Sequence, residues 1–273
     1  MTALLVGLAA LITSGVGTLG GLGGAIMLVP LLVLLGMSPS EVAPLGLLSV
    51  VAASSAAAHR QMREHTTNHR LGVVTESTST AGAIVGAFAV GVISQVALTW
   101  ILASVAVVAA LAGGKRKGQR WPVDPDASPA DVGEWIGSMN GAYSLNGGVV
   151  PYTPKRIGAG LFAMGVSGII TGISGVGGGF IKTPTNSELM HVPVKVSSST
   201  TTFSIGITAA AALLVKIVQG DLDVQLGAAV ILGSLVGGIL GARVQSRMSP
   251  VLVRKFLSVL LIVVAVILVV RVL

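Results

Sequence analysis

Two stretches decide the fold: residues 15–30, which read GVGTLGGLGGAIMLVP, and residues 172–184, which read GISGVGGGFIKTP. Both lie inside apolar segments, 3–35 and 157–190, that are too long for one simple helical crossing. A glycine costs a helix interior about 1 kcal/mol relative to alanine, so four or five together interrupt it. In lipid, unwound backbone survives only where protein or a water-filled cavity satisfies it. After each break a short apolar helix resumes, near Ala25 and near Gly179. Its N-terminus offers free N–H groups and a partial positive charge, a ready site for an anion. Close helix packing by glycine, with no ligand, is the competing reading of the same residues.

The two stretches are copies of one unit. At a constant offset of 154 residues Pro30 matches Pro184 and Pro39 matches Pro193, while Gly21, Gly23 and Gly24 match Gly175, Gly177 and Gly178. Glycine alone would mean little in a chain with 37 of them; two prolines in the same register point to a repeat. Each copy holds four hydrophobic segments. In repeat one (1–112) they are 3–35, 40–58, 71–93 and 95–112; in repeat two (157–273) they are 157–190, 194–217, 223–244 and 249–271. Between the copies, 113–156 is polar, contains KRKGQR and Pro122, Pro125 and Pro129, and reads as a cytoplasmic loop with a short hairpin around Gly147 and Gly148.

Composition places these segments in a membrane. The 273 residues are 52% hydrophobic and only 10% charged, with mean hydropathy +0.89. Soluble domains carry about 25% charged residues, because a surface facing water needs them and one facing lipid does not. Residues 251–270 hold only Arg254 and Lys255 as charges, and residues 223–242 only Asp223; about 20 mostly apolar residues cross the hydrocarbon core as a helix. The absence of cysteine excludes disulfides, thiol chemistry and thiolate metal sites. The net charge of +7 is not read as a nucleic-acid signal, since the basic residues sit in short loops between spans. Residues 1–11 carry no Lys or Arg and are read as mature chain rather than signal peptide. No cofactor and no metal are expected.

Loop charge gives the orientation. Arg60, Arg63 and Arg70 lie between the second and third segments, and Lys115, Arg116, Lys117 and Arg120 follow the fourth, two spans later. In repeat two the pattern reverses: Asp221 and Asp223 follow the second segment, and Arg243, Arg247, Arg254 and Lys255 follow the third. Corresponding loops then face opposite sides, and each half must cross an odd number of times. With three single spans per half, the leading segment makes zero or two net crossings, as a re-entrant pair of half-helices or as two short spans. The expectation is an all-α polytopic membrane protein of two inverted-topology repeats. Each has a glycine-broken leading helix plus three transmembrane helices, both termini lie outside, and the partners are the lipid bilayer and a second copy in a homo-oligomer.

In such a layout the broken helices of the two copies meet around a midplane site. The expected binding residues are Gly20, Gly21, Gly23 and Gly24 of the first break and Gly175, Gly177, Gly178 and Gly179 of the second, lined by Thr183, Asn186, Thr200, Thr201 and Thr202. The polar residues belong to copy two, where Leu32, Val33 and Leu34 are replaced by Asn186, Ser187 and Glu188. Polar side chains are costly in a membrane helix and turn to a cavity or a partner, although Ser and Thr also bond their own helix backbone. Backbone N–H groups, hydroxyls and an amide suit a small anion without a fixed counter-charge. Three charged residues are candidate partners. Lys182 either attracts the anion, with Glu188 as its alternative partner, or snorkels to the cytoplasmic surface. Glu76, about one and a half turns past Arg70, is placed near the interface. Glu76 or Glu188 is the candidate for a coupling proton or ion. His65 and His69, at i and i+4, are read as solvated loop residues rather than a metal pair.

The paired glycine motifs, the GVGGGFIKTP run and the preceding VVPYTPKR resemble the TauE/SafE family of sulfite and organosulfonate exporters, over essentially residues 5–270. The resemblance implies a prokaryotic inner-membrane transporter of sulfur-containing anions such as sulfite, sulfoacetate or taurine-related compounds. After Pro184 the family commonly continues with aliphatic residues, whereas this chain reads Thr185, Asn186, Ser187, Glu188, and residues 75–80 read TESTST. Both departures bear on the choice of substrate.

Two enzyme motifs are set aside. Residues 15–20 match GxGxxG, but no strand precedes them and no βαβ unit surrounds them. Residues 172–175 match the GxSG of intramembrane serine proteases, which need a histidine base on another span, and no histidine follows His191. An enzyme is therefore not expected. The alternatives to a carrier are an anion channel-like uniporter and a non-transporting membrane scaffold or sensor.

Overall fold

The computed structural model describes residues 2–19, 23–63, 65–114, 132–145 and 148–245, with 259, 262 and 266. Gly20 and Gly21, the KRKGQR run and nearly all of the expected span 249–271 lie outside the described residues. Repeat one contributes α1 (Ala3–Leu19), α2 (Ala25–Leu34), α3 (Pro39–Arg63), α4 (His69–Ala89) and α5 (Gln95–Gly114). Three short strands follow, β1 (Gly133–Glu134), β2 (Gly141–Leu145) and β3 (Gly148–Tyr152). Repeat two contributes α6 (Ile157–Ser174), α7 (Gly179–Pro184), a π-helical turn (Thr185–Leu189), α8 (Val194–Gln219) and α9 (Val224–Gln245).

Among the described residues five helices are long and apolar enough to cross a membrane: Pro39–Arg63, His69–Val92, Ile157–Ser174, Val194–Gln219 and Val224–Val244. The chain is a helical, multi-pass membrane protein. Its leading segments do not divide evenly. With 18 residues α6 is about 27 Å long at 1.5 Å per residue, close to the roughly 30 Å hydrocarbon core. The helix after the second break has only 6 residues before the π-turn. Each leading segment is a long arm followed by a short one.

The packing centres on α3 and α8. α3 is 76% buried over its apolar window and α9 only 33%, so α3 is interior and α9 peripheral. α1 runs along α9 and α4 along α6, while α9 also packs on α3 and α4 on α8. Under the 154-residue offset α1 corresponds to α6, α3 to α8 and α4 to α9, so each pair maps onto another with the copies exchanged. Lipid supplies no hydrophobic drive for helix association, so close van der Waals contact must supply it. A methyl group on Gly172 would run into the Ala83 carbonyl of α4, and one on Gly237 into the Leu11 carbonyl of α1. Ser14, Ser49 and Ser234 tie α1, α3 and α9 together through buried hydroxyl bonds of 2.9 to 3.0 Å.

The loop between the copies is partly folded. β1, β2 and β3 form an antiparallel sheet in that order, and β2 and β3 pair as a hairpin with Leu145 opposite Gly148, where the sequence placed one. Tyr143, Val150 and Tyr152 of the hairpin pack with Leu71, Met190, Val192 and Val196 in a second apolar cluster. The sheet therefore sits over the ends of α4 and α8 and the exit of the second broken segment.

Candidate functional site

The breaks turn on left-handed backbone. Gly23, Gly175 and Gly177 have φ of +80, +68 and +75°, a region that glycine enters without the Cβ penalty of other residues. The two breaks approach one side chain from either side. A Cβ on Gly23 would lie 3.7 Å from Cγ2 of Val50, and one on Gly177 would lie 2.9 Å from the same methyl. Val50 of α3 thus stands between the breaks. The other glycines answer to packing. Gly24 abuts Ser14 of α1, Gly178 abuts Ser167 and Thr171 of α6, and Gly175 abuts the Ala43 backbone of α3. Gly179 opens α7 and is buried. Of the described break glycines, Gly23 faces Ile205 of α8 and Val50 of α3, Gly177 faces Val50, and Gly24, Gly175 and Gly178 bring helices together.

The chemistry lies beyond the second break. Lys182 of α7 is 1% exposed, and its ammonium donates to Glu76 Oε1 at 2.8 Å, Glu76 Oε2 at 2.9 Å and Thr208 Oγ1 at 2.6 Å. Three acceptors satisfy its three N–H groups. Glu76 of α4 is 3% exposed, so it sits inside the helix bundle rather than at the interface expected from its distance past Arg70. Packing of α4 between α6 and α8 turns that face inward. Lys182 likewise does not snorkel, and its partner is not Glu188, which is exposed and takes a 3.5 Å bond from Ser187. Snorkelling needs a free path to water, and the fully buried Lys182, on a helix packed against α5, α6 and α8, has none.

One turn along, Asn186 Nδ2 donates to Thr201 Oγ1 at 3.4 Å. The rungs Lys182–Thr208 and Asn186–Thr201 thus link the second broken segment to one face of α8, because positions 201, 204/205 and 208 share a side of a helix. Thr183 Oγ1 and Asn186 Oδ1 are buried and have no hydrogen-bond partner. Leaving a buried polar atom unpaired costs about 1–3 kcal/mol, and native proteins hold few of them. The π-turn places Asn186 and Ser187 inward, with Met190 N bonding Thr185 O at 2.9 Å; π-turns are rare and frequent at functional sites. The three threonines part company. Thr201 meets Asn186, Thr200 Oγ1 accepts from the Asn68 N–H at 3.0 Å, and Thr202 donates back to Ser198 O at 2.9 Å. For Thr202 the hydroxyl serves its own helix.

Sequence reasoning missed the cover on this strip. Thr66 Oγ1 donates to Ser199 Oγ at 2.9 Å. Asn68, fully buried, caps α4 by accepting from Leu71 N at 2.9 Å and donates to Met139 O at 2.8 Å and Tyr152 Oη at 3.0 Å. Burial pushes the Tyr152 phenol up to about 12, against the Asn68 bond and with help from Glu134. Glu134 also accepts from the His69 N–H at 2.7 Å. An Asn just before a helical run is a readable N-cap signal, but nothing local says what its amide grips. His69 stacks edge-on against Phe203 at 5.3 Å, and His65 is exposed. Among the described residues no three His, Asp or Glu side chains gather as a metal site.

A family model described as sulfite exporter TauE/SafE matches residues 6–268, nearly the whole chain. No curated protein and no solved structure matches it.

Proposed function

The chain belongs to the TauE/SafE sulfite exporter family of membrane transporters, and on that premise we propose that it exports a small sulfur-containing anion, a sulfonate or sulfite. The setting is the inner membrane of a prokaryote, with both termini outside. The anion binds between the two broken segments and is passed by alternating access. The exchange of partners between corresponding helices supports two copies related by a two-fold axis, and the reversed loop charges are what favour an axis in the membrane plane. The observation that carries the site is the buried strip of Lys182, Thr183, Asn186 and Thr201, in which two polar atoms have no partner. An intramembrane ionisable residue that faces the bundle interior marks a substrate or ion path. The Asn68 and Tyr152 contacts cover this strip on the loop side, as one closed state of an alternating cycle requires.

Proteoliposome flux of labelled taurine, sulfoacetate and sulfite tests the reading. Asn186→Leu restores the copy-one residue Leu32, so it should fold normally and lose affinity and flux by tenfold or more. Unchanged affinity and flux in well-folded Asn186→Leu protein would move the site elsewhere. Flux of a cation with none of these anions would overturn anion transport, and no flux of any solute would favour a scaffold.

A further inference from the structure

We propose that Lys182 and Glu76 form a charge-exchange switch that obliges each transported monoanion to travel with one proton. The proposal rests on the anion-transport reading above and says which charge state of the substrate fits. In the structure the pair is closed: the ammonium spends its three donors on Glu76 and Thr208, and both side chains are almost fully buried. The net charge of the pair is zero. A monoanion seated on Thr183 and Asn186, one and four residues along the same segment, reaches the ammonium only by drawing it from the carboxylate. That leaves two negative charges and one positive charge in a low-dielectric site, where an uncompensated charge costs several kcal/mol. One proton added to a Glu76 carboxylate oxygen restores neutrality, and it leaves to water when the anion is released and Lys182 returns. Only that O–H bond forms and breaks. A dianion would still leave one net negative charge, so the matched cargo is a monoanion such as a sulfonate or bisulfite.

The repeat makes the pair stand out. At the 154-residue offset Lys182 corresponds to Leu28 and Glu76 to Val230, both fully buried in the apolar core. The same scaffold position is therefore filled well by hydrocarbon, and a buried ion pair is seldom more stable than such a replacement. Packing does not explain why this pair, one residue from each copy, keeps its charges. Nor, among the described residues, does another charge compete for them. α5 and α6 carry no ionisable side chain, Lys195 and Lys216 lie at the two ends of α8, and Glu188 of the π-turn is exposed. Lys216 is itself held by Gln219 and Asp221, each at 3.0 Å. On α4 the nearest charged groups, His69 and Arg70, sit at its first turn.

The test uses methanesulfonate and 2-hydroxyethanesulfonate, whose sulfonates stay ionised at all working pH values and so carry no proton themselves. Full-length protein is reconstituted with a pH dye inside the vesicles. Wild type should move close to one proton per sulfonate, in the same direction, at a rate that a clamped membrane potential does not change. Glu76→Gln should carry sulfonate with no proton and become sensitive to the potential. Lys182→Gln should lose sulfonate flux by at least tenfold at every pH. Sulfonate flux in wild type with no proton movement would overturn the switch while leaving transport intact. Proton coupling retained in Glu76→Gln would overturn it too. Absence of all sulfonate flux in wild type would instead overturn the transport reading on which it rests. The wild-type ratio decides the matter even if a variant fails to fold.

Discussion

Gly177→Ala measures how tightly the two breaks are held around Val50. Gly177 has φ +75°, and placing an L side chain there costs about 1–2 kcal/mol. Its new methyl would also sit 2.9 Å from Val50 Cγ2, closer than real side-chain carbons approach. Overpacking of that kind costs about 1–3 kcal/mol, so the sum is about 2–5 kcal/mol. Gly220→Ala separates the two contributions. Its φ is +78° but nothing lies within 4 Å of the new methyl, so only the backbone cost of about 1–2 kcal/mol remains. The assay is reversible unfolding in mixed micelles, run as a double-mutant cycle with Val50→Ala. Truncating Val50 should return the overpacking part, a coupling of about 1–3 kcal/mol in favour of the double variant. Gly175→Ala, whose methyl would meet the Ala43 backbone rather than a side chain, should show no such rescue. Additive costs for Gly177→Ala and Val50→Ala, or a Gly177→Ala as mild as Gly220→Ala, would refute the placement of Val50 between the breaks.

Three further outcomes are expected. Lys182→Leu alone strands a buried carboxylate and should cost about 3–5 kcal/mol, whereas Lys182→Leu with Glu76→Val rebuilds the symmetry-related apolar pair of Leu28 and Val230 and should unfold near wild type in the same micelle assay; a double variant as unstable as the single one would contradict this. The Tyr152 phenol, raised from 10.0 to about 12 in the folded chain, stabilises the hairpin cover fully below about pH 10 and loses that contribution as pH rises toward about 12, so Tyr152→Phe should flatten the alkaline end of the stability profile and an unchanged slope would count against it. Because the chain has no cysteine, single cysteines report topology cleanly: position 65 should react with an impermeant maleimide only from the cytoplasmic side, and positions 95 and 248 should react from opposite sides; labelling of position 65 from outside intact cells, or 95 and 248 from one side, would sink the orientation or the inversion.

The sequence by itself determined the solvent, the broken segments and the polar bias of copy two. These are local properties. Charge density reports whether a surface meets water or lipid, clustered glycines cannot hold a helix, and replacing Leu32 by Asn186 changes a side chain whatever it touches. Even the hairpin near Gly148 and the cap at Asn68 are short-range, since turn and N-cap residues act within a few positions. Only the tertiary structure decided the pairings. Lys182 and Glu76 are 106 residues apart, and each had a plausible local reading, at the cytoplasmic surface for one and at the interface for the other. Helical periodicity says which side chains share a face but not which helix that face will meet. Here the answer came from glycine stripes that draw α4 onto α6 and from the turn at Gly175 and Gly177 that sends α7 back against α8. Once those backbones closed, no route to water remained for either charge. Their attraction was left to settle inside the bundle, next to Thr183 Oγ1 and Asn186 Oδ1, two of the four buried side-chain atoms that have no hydrogen-bond partner among the described residues.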